Sequence, residues 1–174
     1  MANLTTYKYF ATGRTAINSL VNAGVVGGGD IVTSRQSEVT QYITFAEEDV
    51  LRRLLGDDLY DAFMTGLAAA IVEARWTALK AQLVDTTALT SPLCGLIWYQ
   101  WLKDHQTVQT TTSQVVVSPD GGTPKVNTQM VVSIFNRSIG QLSDVYDWLV
   151  DNSATYPEWE QGAFAFSYIN IFDI

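Results

Sequence analysis

Two residue types that often carry out chemistry occur once each in this 174-residue chain, as Cys94 and His105. A cysteine and a histidine act together as nucleophile and base only within hydrogen-bond reach of each other. Both fall within one predicted helix, and their separation of 11 positions (105 − 94) at ~1.5 Å per residue places them about 16 Å apart. We therefore interpret Cys94 as a buried thiol and His105 as an exposed residue at a helix end.

Carboxylates gather at two places in the chain, which are Glu47, Glu48, Asp49 and Asp57, Asp58, Asp61. A catalytic carboxylate pair needs one member in an apolar pocket and a partner that faces it. Adjacent residues such as Glu47 and Glu48 point in different directions on a helix. The second cluster lies where a helix begins, a position that favours negative charge. We interpret both clusters as solvated helix faces or caps, and a small hydrolase that uses Asp57, Asp58 or Glu47 is the enzymatic alternative.

The remaining candidate sites for a phosphate or a metal lack essential residues. The glycine-rich stretch 24–30 has no Lys-Ser or Lys-Thr pair of a phosphate loop. The sequence Asp120-Gly121-Gly122 is too short for a calcium loop and lacks spaced acidic ligands. One cysteine and one histidine exclude a multi-cysteine zinc site and most histidine-based metal sites. The sequence therefore predicts no catalytic residue, no cofactor and no metal, and a protein that is not an enzyme.

The charge balance argues against tight binding to nucleic acid. Asp and Glu number 18 and Lys and Arg number 10, which gives a net charge of −8. Without a basic block, such a chain is a poor binder of phosphates, although it can surround DNA that passes without specific binding. Charged residues make up 16% of the chain, below the usual ~25%, which favours apolar surface for partners. We find no run of about 20 apolar residues that predicts a membrane span.

Apolar residues recur at helical spacing in five stretches, and the predicted helices cover 34–55, 57–66, 67–83, 91–105 and 131–151. Ser34 is the predicted N-cap of the first helix, and Gly56 ends it. Ser91-Pro92 begins the fourth helix, which is apolar on several faces and therefore predicted to be central and buried. The sequence thus predicts a mainly α fold, a bundle of about five helices.

A β-prone segment interrupts the helical pattern between the fourth and fifth helices. Strands are predicted at 114–117 and 125–128, with dense turn residues at 118–124 between them. This pattern predicts a β-hairpin that protrudes from the helical body as an insert at 113–129. Because a two-stranded hairpin is marginally stable alone in water, we expect it to pair within the subunit or across an interface. Its candidate partner-binding residues are Val115, Val116, Val117, Lys125 and Val126.

The two ends of the chain lack sustained helical spacing and are predicted to be extended arms. We divide the chain into an N-terminal arm at 1–33 with a glycine-rich hinge, a helical domain at 34–160 and a C-terminal docking tail at 161–174. Strong strand formers alternate on two faces of the tail, and such a segment can add as a strand to another chain. Its candidate partner-binding residues are Phe164, Phe166, Tyr168, Ile169, Ile171 and Phe172.

Three short motifs carry a resemblance to a known family. They are Glu38-x-x-x-Tyr42-Ile43-x-Phe45-Ala46-Glu47 running into Leu54-Leu55-Gly56-Asp57-Asp58-Leu59-Tyr60-Asp61, the helix from Ser91-Pro92-Leu93 to Trp101, and Asn152-x-x-x-Tyr156-Pro157. Together with a strand-like insert and a long helix before the last motif, their order resembles small head-completion proteins of tailed bacteriophages, especially Bacteroidetes phages. The likeness covers about residues 34–160.

The resemblance implies a head-to-tail connector, or adaptor, subunit of the virion neck that is assembled in the host cytoplasm. Such proteins form a homo-oligomeric ring, usually a dodecamer, below the portal protein, and DNA passes through its middle. The tail at 161–174 would dock into the portal, and the hairpin would contact a neighbouring copy or an adjacent tail or neck protein. A tail-side stopper protein is the structural alternative, and a host-directed binding module is the alternative from another class.

Overall fold

A computed structural model describes residues 3–17, 20, 29–105, 107–109, 114–116, 128–162 and 164–170. The described chain is mainly helical with five helices, as predicted. The helices are α1 (Gly29–Leu55), α2 (Asp57–Ala68), α3 (Ala74–Leu83), α4 (Pro92–His105) and α5 (Thr128–Asp151). Two short strands, β1 (Thr107–Gln109) and β2 (Gln114–Val116), lie between α4 and α5, and 3₁₀ turns form at Tyr7–Phe10 and Ser153–Thr155.

The corner between α1 and α2 is made by Gly56. Its φ of 77° is a left-handed conformation that glycine adopts without the penalty of a side chain. Arg52 spans the corner, with ion pairs of 2.8 Å to Asp57 and 3.1 Å to Asp61 and with its guanidinium 4.3 Å from the centre of the Tyr60 ring. The second acidic cluster therefore stabilises a helix corner, which agrees with the sequence interpretation.

The start of α1 differs from the prediction. The helix begins at Gly29 rather than at Ser34, so Ser34 lies inside the helix. Serine is favoured at an N-cap, but it also costs less than ~1 kcal/mol inside a helix, so a single serine does not define the boundary. Gln36 then links the first turns of α1 to the preceding segment, because its Nε2 donates to the Leu20 carbonyl at 2.7 Å.

The predicted single helix at 67–83 is wrong, because the chain breaks after Ala68 and α3 begins only at Ala74. The side chain of Trp76 packs on Gly66 of α2, where a Cβ atom would lie 2.1 Å from the indole Nε1. A straight helix cannot bring Trp76 back onto α2, so the close contact requires a reversal between them. Ile71 lies in this connection and is 87% exposed.

Helix α4 is the central helix, as predicted, and it packs against both α1 and α5. Eight of its residues are buried, which are Pro92, Leu93, Cys94, Gly95, Leu96, Ile97, Trp98 and Trp101. Ser91 caps the helix, because its Oγ accepts the Leu93 N–H at 3.1 Å. Gly95 allows α4 to approach α5 closely, since a Cβ atom there would lie 2.1 Å from Ser138 Oγ.

The predicted hairpin between 114–117 and 125–128 is not seen in the described residues, which do not include 117–127. Strand β2 pairs with β1 upstream, in antiparallel register with Thr107 opposite Val116 and Gln109 opposite Gln114, and Thr128 already belongs to α5. The loop between β1 and β2 has four residues, a common hairpin length with a low cost of closure. Val115 and Val116 lie in β2, whereas Val117, Lys125 and Val126 lie outside the described residues.

The N-terminal segment is not the extended arm that the sequence predicts. Residues 3–17 contact α1 and α4 through the 3₁₀ turn Tyr7–Phe10, and Phe10 is fully buried. The segment closes on itself where the Ile17 N–H donates to the Phe10 carbonyl at 2.8 Å. Its buried side chains, which join the core of the helical body, are Leu4, Tyr9, Phe10 and Ile17.

Candidate functional site

The sequence places the main candidate surface in the tail, and the structure describes its residues 164–170 and the chain that leads to them. This chain is anchored at Tyr156, which is 1% exposed and packs against Trp76 and Trp148. The Tyr156 hydroxyl donates to the Arg75 carbonyl at 2.7 Å, and the Arg75 guanidinium holds Glu158 at 3.0 Å. The Tyr-Pro motif of the family resemblance is therefore a structural anchor that fixes where the tail begins.

From this anchor the tail runs back along α5 in the antiparallel direction. The Tyr146 hydroxyl donates to the Gly162 carbonyl, the Tyr168 hydroxyl lies opposite Gly140, and Ile169 lies opposite Asn136. Residue numbers thus rise along the tail while they fall along the helix. Residues 164–170 form no strand. The segment that carries the strand-forming residues lies along α5 instead.

Asn136 holds the backbone of Ile169 from both sides. Its Nδ2 donates to the Ile169 carbonyl and its Oδ1 accepts the Ile169 N–H, both at 2.8 Å. A side-chain amide has the same donor and acceptor as a peptide group, so this pair imitates one hydrogen-bonded pair of a β-ladder. We call the pair the Asn136 bracket. It supplies hydrogen-bond partners to the N–H and C=O groups of Ile169, which pairs with no strand in the described chain.

The aromatic residues of the tail are only partly covered. Phe164 packs edge-on against Tyr146, with ring centres 5.6 Å apart, and Phe166 lies 5.4 Å from Phe164. Both phenylalanines are half-buried, whereas Tyr168 is 62% exposed and Ile169 is half-buried. The predicted alternation therefore holds over 164–167 and shifts by one residue at Tyr168, because the Asn136 bracket turns Ile169 toward the helix.

Ile171 and Phe172, the other two candidate residues of the tail, lie outside the described residues. The structure therefore brings together Phe164, Phe166 and Ile169 on α5 and leaves Tyr168 at the surface. The described hairpin candidates, Val115 and Val116, belong to β2.

Cys94 and His105 have separate structural roles on α4. Cys94 is 5% exposed, and burial, with a smaller contribution from the charge of Glu47, raises the pKa of its thiol to about 12. Because the thiolate is the reactive form, a thiol with this pKa is inert at neutral pH. The interpretation of Cys94 as a buried thiol is confirmed.

His105 is half-buried, so the prediction of an exposed histidine is wrong, although its place at the end of α4 is as expected. Its ring stacks on Trp101 with centres 3.6 Å apart. Nδ1 lies 2.9 Å from the Trp101 carbonyl oxygen, and Nε2 lies 2.8 Å from Glu38 Oε1. Both ring nitrogens have partners, and the residue joins the end of α4 to α1.

Glu47 is the functional group that sequence reasoning missed, because it is 3% exposed rather than solvated. Its Oε1 accepts the Leu4 N–H at 2.5 Å, and its Oε2 accepts the Thr5 N–H at 3.0 Å and the Thr5 hydroxyl at 2.6 Å. Burial raises the pKa of this carboxyl above its usual range, against the three hydrogen bonds, which lower it. Its role is to fix the N-terminal segment on α1.

A signal for this burial exists in the sequence. Glu47 is four residues from Ile43 and four from Leu51, and both of these are fully buried. Residues four apart share a helix face, so Glu47 lies on the apolar face of α1. Only the position of the N-terminal segment reveals why a carboxylate is placed there.

The described residues contain no group of three or more His, Cys, Asp or Glu side chains that is able to hold a metal ion. In the same part of the chain, no helix combines the length and apolarity that a membrane crossing requires. Comparisons with known proteins found no matching family model, no matching curated protein and no matching solved structure.

Proposed function

We propose that the chain is a structural subunit of a tailed-phage neck, a head-to-tail connector that assembles into a ring below the portal and docks through its tail. The observation that carries this proposal is the tail on α5. It is a strand-forming segment held by three hydrogen bonds to the side chains of Asn136 and Tyr146, and its half-covered phenylalanines pack against the core from outside. Such a segment can leave the helix without opening the core.

The half-buried phenylalanines of this segment leave apolar surface that a partner can cover. Phe164 and Phe166 are half-buried on α5, and complete burial of a large apolar side chain contributes ~1.5–3 kcal/mol relative to full exposure. A partner that covers both rings and pairs with the backbone therefore competes with the intramolecular contact. A strand edge of a portal subunit offers both, because it presents unpaired N–H and C=O groups and flanking side-chain pockets.

The charge of the chain supports a channel through which DNA slides. A net charge of −8 repels the phosphate backbone, so a ring of such subunits adds no salt-dependent affinity for the DNA inside it. Ring formation also needs two different patches that meet on neighbouring copies. The partly covered tail and the exposed Ile71 on the α2–α3 connection are two such patches, because they lie on different elements.

Electron microscopy of the purified chain, alone and with the portal protein of the same virion, tests the proposal. We expect closed rings with a central channel, and co-sedimentation with the portal. Deletion of 164–174 is expected to leave the far-ultraviolet circular dichroism spectrum unchanged and to abolish co-sedimentation. Phe45→Ser, which removes an exposed apolar residue of α1 that belongs to neither patch, is the control variant and is expected to co-sediment.

Two results would contradict the proposal. One is undiminished co-sedimentation of the truncated chain, which would show that the tail does not dock. The other is a chain that remains monomeric with the portal and is absent from purified particles by mass spectrometry, which would exclude a neck subunit altogether.

A further inference from the structure

A cavity of about 360 Å³ lies between the N-terminal segment, the connection before α4 and the first half of α5. This volume is within the range of ~300–1,000 Å³ that small-molecule sites occupy. Its floor is formed by the buried residues Gly95 and Ser138, where α4 and α5 pack closely together.

Two arginines that line the cavity have no ionic partner in the described chain. All six arginines of the protein are described, and Arg35, Arg52, Arg53 and Arg75 each bind a carboxylate. Arg14 and Arg137 form no ion pair with any described residue, and both line this cavity. No Asp or Glu is among the described residues that line it. Because no described residue forms an ion pair with either guanidinium group, the cavity suits a ligand of negative charge.

The surroundings of the two arginines also suit an anion. The first turn of α4 contributes Cys94 and Gly95 to the lining, and the N-terminal end of a 14-residue helix carries partial positive charge. Hydroxyl groups of Thr12 and Ser133 add neutral donors on the rim. The site therefore combines charged donors from two separate elements with a helix end.

The connection before α4 holds the rim of the cavity in a defined shape. Leu89, which lines the cavity, has a φ of 53°, a left-handed conformation that non-glycine residues adopt rarely. Asp85 maintains this turn, because its Oδ1 accepts the N–H groups of Thr87 and Ala88, both at 2.8 Å. Paired backbone hydrogen bonds between Asp85 and Thr90 close the loop. These contacts within the chain hold the rim in a defined shape.

We propose that this cavity binds a small oxyanion ligand, a phosphate or carboxylate compound, between Arg14 and Arg137. The planar guanidinium group matches both anions, because it donates two parallel hydrogen bonds to their oxygen atoms. This binding site is independent of the assembly role proposed above.

Thermal unfolding of the full chain in inorganic phosphate and in succinate, at constant ionic strength, tests the site. For a Kd of about 1 mM, an anion concentration of about 10 mM raises the Tm by about 4 °C through preferential binding to the folded state. In the double variant Arg14→Gln/Arg137→Gln we expect this rise to disappear. Because both side chains are exposed, the double variant is expected to retain its circular dichroism spectrum.

A matched control separates specific binding from general effects of salt. The variant Lys8→Gln/Arg53→Gln removes two other exposed cations, and it is expected to keep the full rise in Tm. Line broadening of the ³¹P resonance of inorganic phosphate by the wild type, and not by the arginine double variant, is the direct measurement of binding.

Two outcomes would overturn the proposal. An equal Tm shift and equal broadening in the wild type and the arginine double variant would show that phosphate acts on the whole surface. Self-association of the wild type in anion-free buffer, lost in the arginine double variant and insensitive to added phosphate, would show that the arginines bind carboxylates of another copy and not a small ligand.

Discussion

The N-terminal segment 3–17 and the tail segment 164–170 invite comparison, because the sequence predicts both to be extended arms. Both are rich in aromatic residues and both lie on a helix of the same chain. The first enters the core, where Phe10 is fully buried, whereas the second stays at the surface with half-buried phenylalanines. The difference teaches that apolar side chains alone do not decide whether an irregular segment becomes part of a core.

Whether such a segment joins the core depends on hydrogen-bond partners for its backbone. A buried irregular segment needs partners for its N–H groups, because an unpaired buried donor costs about 1–3 kcal/mol. Glu47 supplies these partners to Leu4 and Thr5 from inside the core, and its own charge is satisfied by three donors. Asn136 supplies one equivalent pair to Ile169 at a half-buried position. The N-terminal segment is therefore integral to the fold, and the tail is an attachment.

Truncation of one phenylalanine in each segment gives the largest expected contrast. Phe10→Ala should lower the free energy of unfolding by about 3–5 kcal/mol, because it empties a fully enclosed site. Phe166→Ala should lower it by about 1 kcal/mol, because its ring is already partly in water. Urea denaturation measures both. Equal losses would mean that the tail belongs to the same cooperative core.

Replacement of Glu47 tests the backbone argument at the N-terminal segment. Glu47→Gln should destabilise the protein by about 2 kcal/mol at pH 7, because the amide leaves one oxygen for three donors and directs an NH₂ group at a backbone N–H. The neighbouring exposed Glu48→Gln is the control and should change stability by less than about 0.5 kcal/mol. Accelerated hydrogen exchange at Leu4 and Thr5 would localise the effect.

The pH dependence of the same pair of proteins gives a second test with a defined sign. The folded-state pKa of Glu47 is raised above its unfolded value, so the folded state binds the proton more tightly. The contribution of this group to stability is full below the unfolded pKa of ~4.3 and is lost as the pH rises through the raised folded pKa. The advantage of the wild type over Glu47→Gln should therefore shrink from acid pH toward neutral pH. An advantage that grows over this range would contradict the burial of the carboxyl.

The smallest expected effect comes from the Asn136 bracket. Asn136→Ala should release the tail at a cost of about 1 kcal/mol, which corresponds to a roughly fivefold faster exchange of the Ile169 amide, with little change in global unfolding. Asn136→Asp keeps the acceptor for the Ile169 N–H, so it should accelerate exchange of the Ile169 amide less than Asn136→Ala does. Gln141→Ala, an exposed change on the same helix, is the control. If Asn136→Ala unfolds the whole chain more easily and leaves Ile169 exchange unchanged, the tail is not a separate unit.

The success of the sequence predictions follows the range of the interactions involved. Helix α4 and the corner at Gly56 were predicted well, because a cap, a proline at the first turn and a left-handed glycine act within a few residues. The motifs that carry the family resemblance include these same local features, together with the buried anchor Tyr156. The break between the second and third helices was predicted after Gly66, whereas the structure places it between Ala68 and Ala74, because Trp76 must return to Gly66.

The candidate sites depend even more strongly on contacts between residues that are far apart in the sequence. The tail pattern identified Phe164 and Phe166 as apolar residues on one face, but nothing local to them indicates that Asn136, 33 residues before Ile169, receives the backbone. Arg14 and Arg137 are 123 positions apart (137 − 14), and no spacing rule joins them into one cavity. Strand β2 pairs with β1 upstream, whereas the sequence predicts a pairing with the strand at 125–128. The loop to β1 is the shorter of the two.

The amino-acid sequence by itself determined that this chain is a bundle of about five helices with a buried central helix, because helical spacing and capping are encoded by neighbours along the chain. Only the tertiary structure decided which irregular segment became core, why Glu47 is buried and which cavity Arg14 and Arg137 line. These outcomes depend on desolvation and on hydrogen-bond partners, and both are set by residues that are distant in the sequence and close in space.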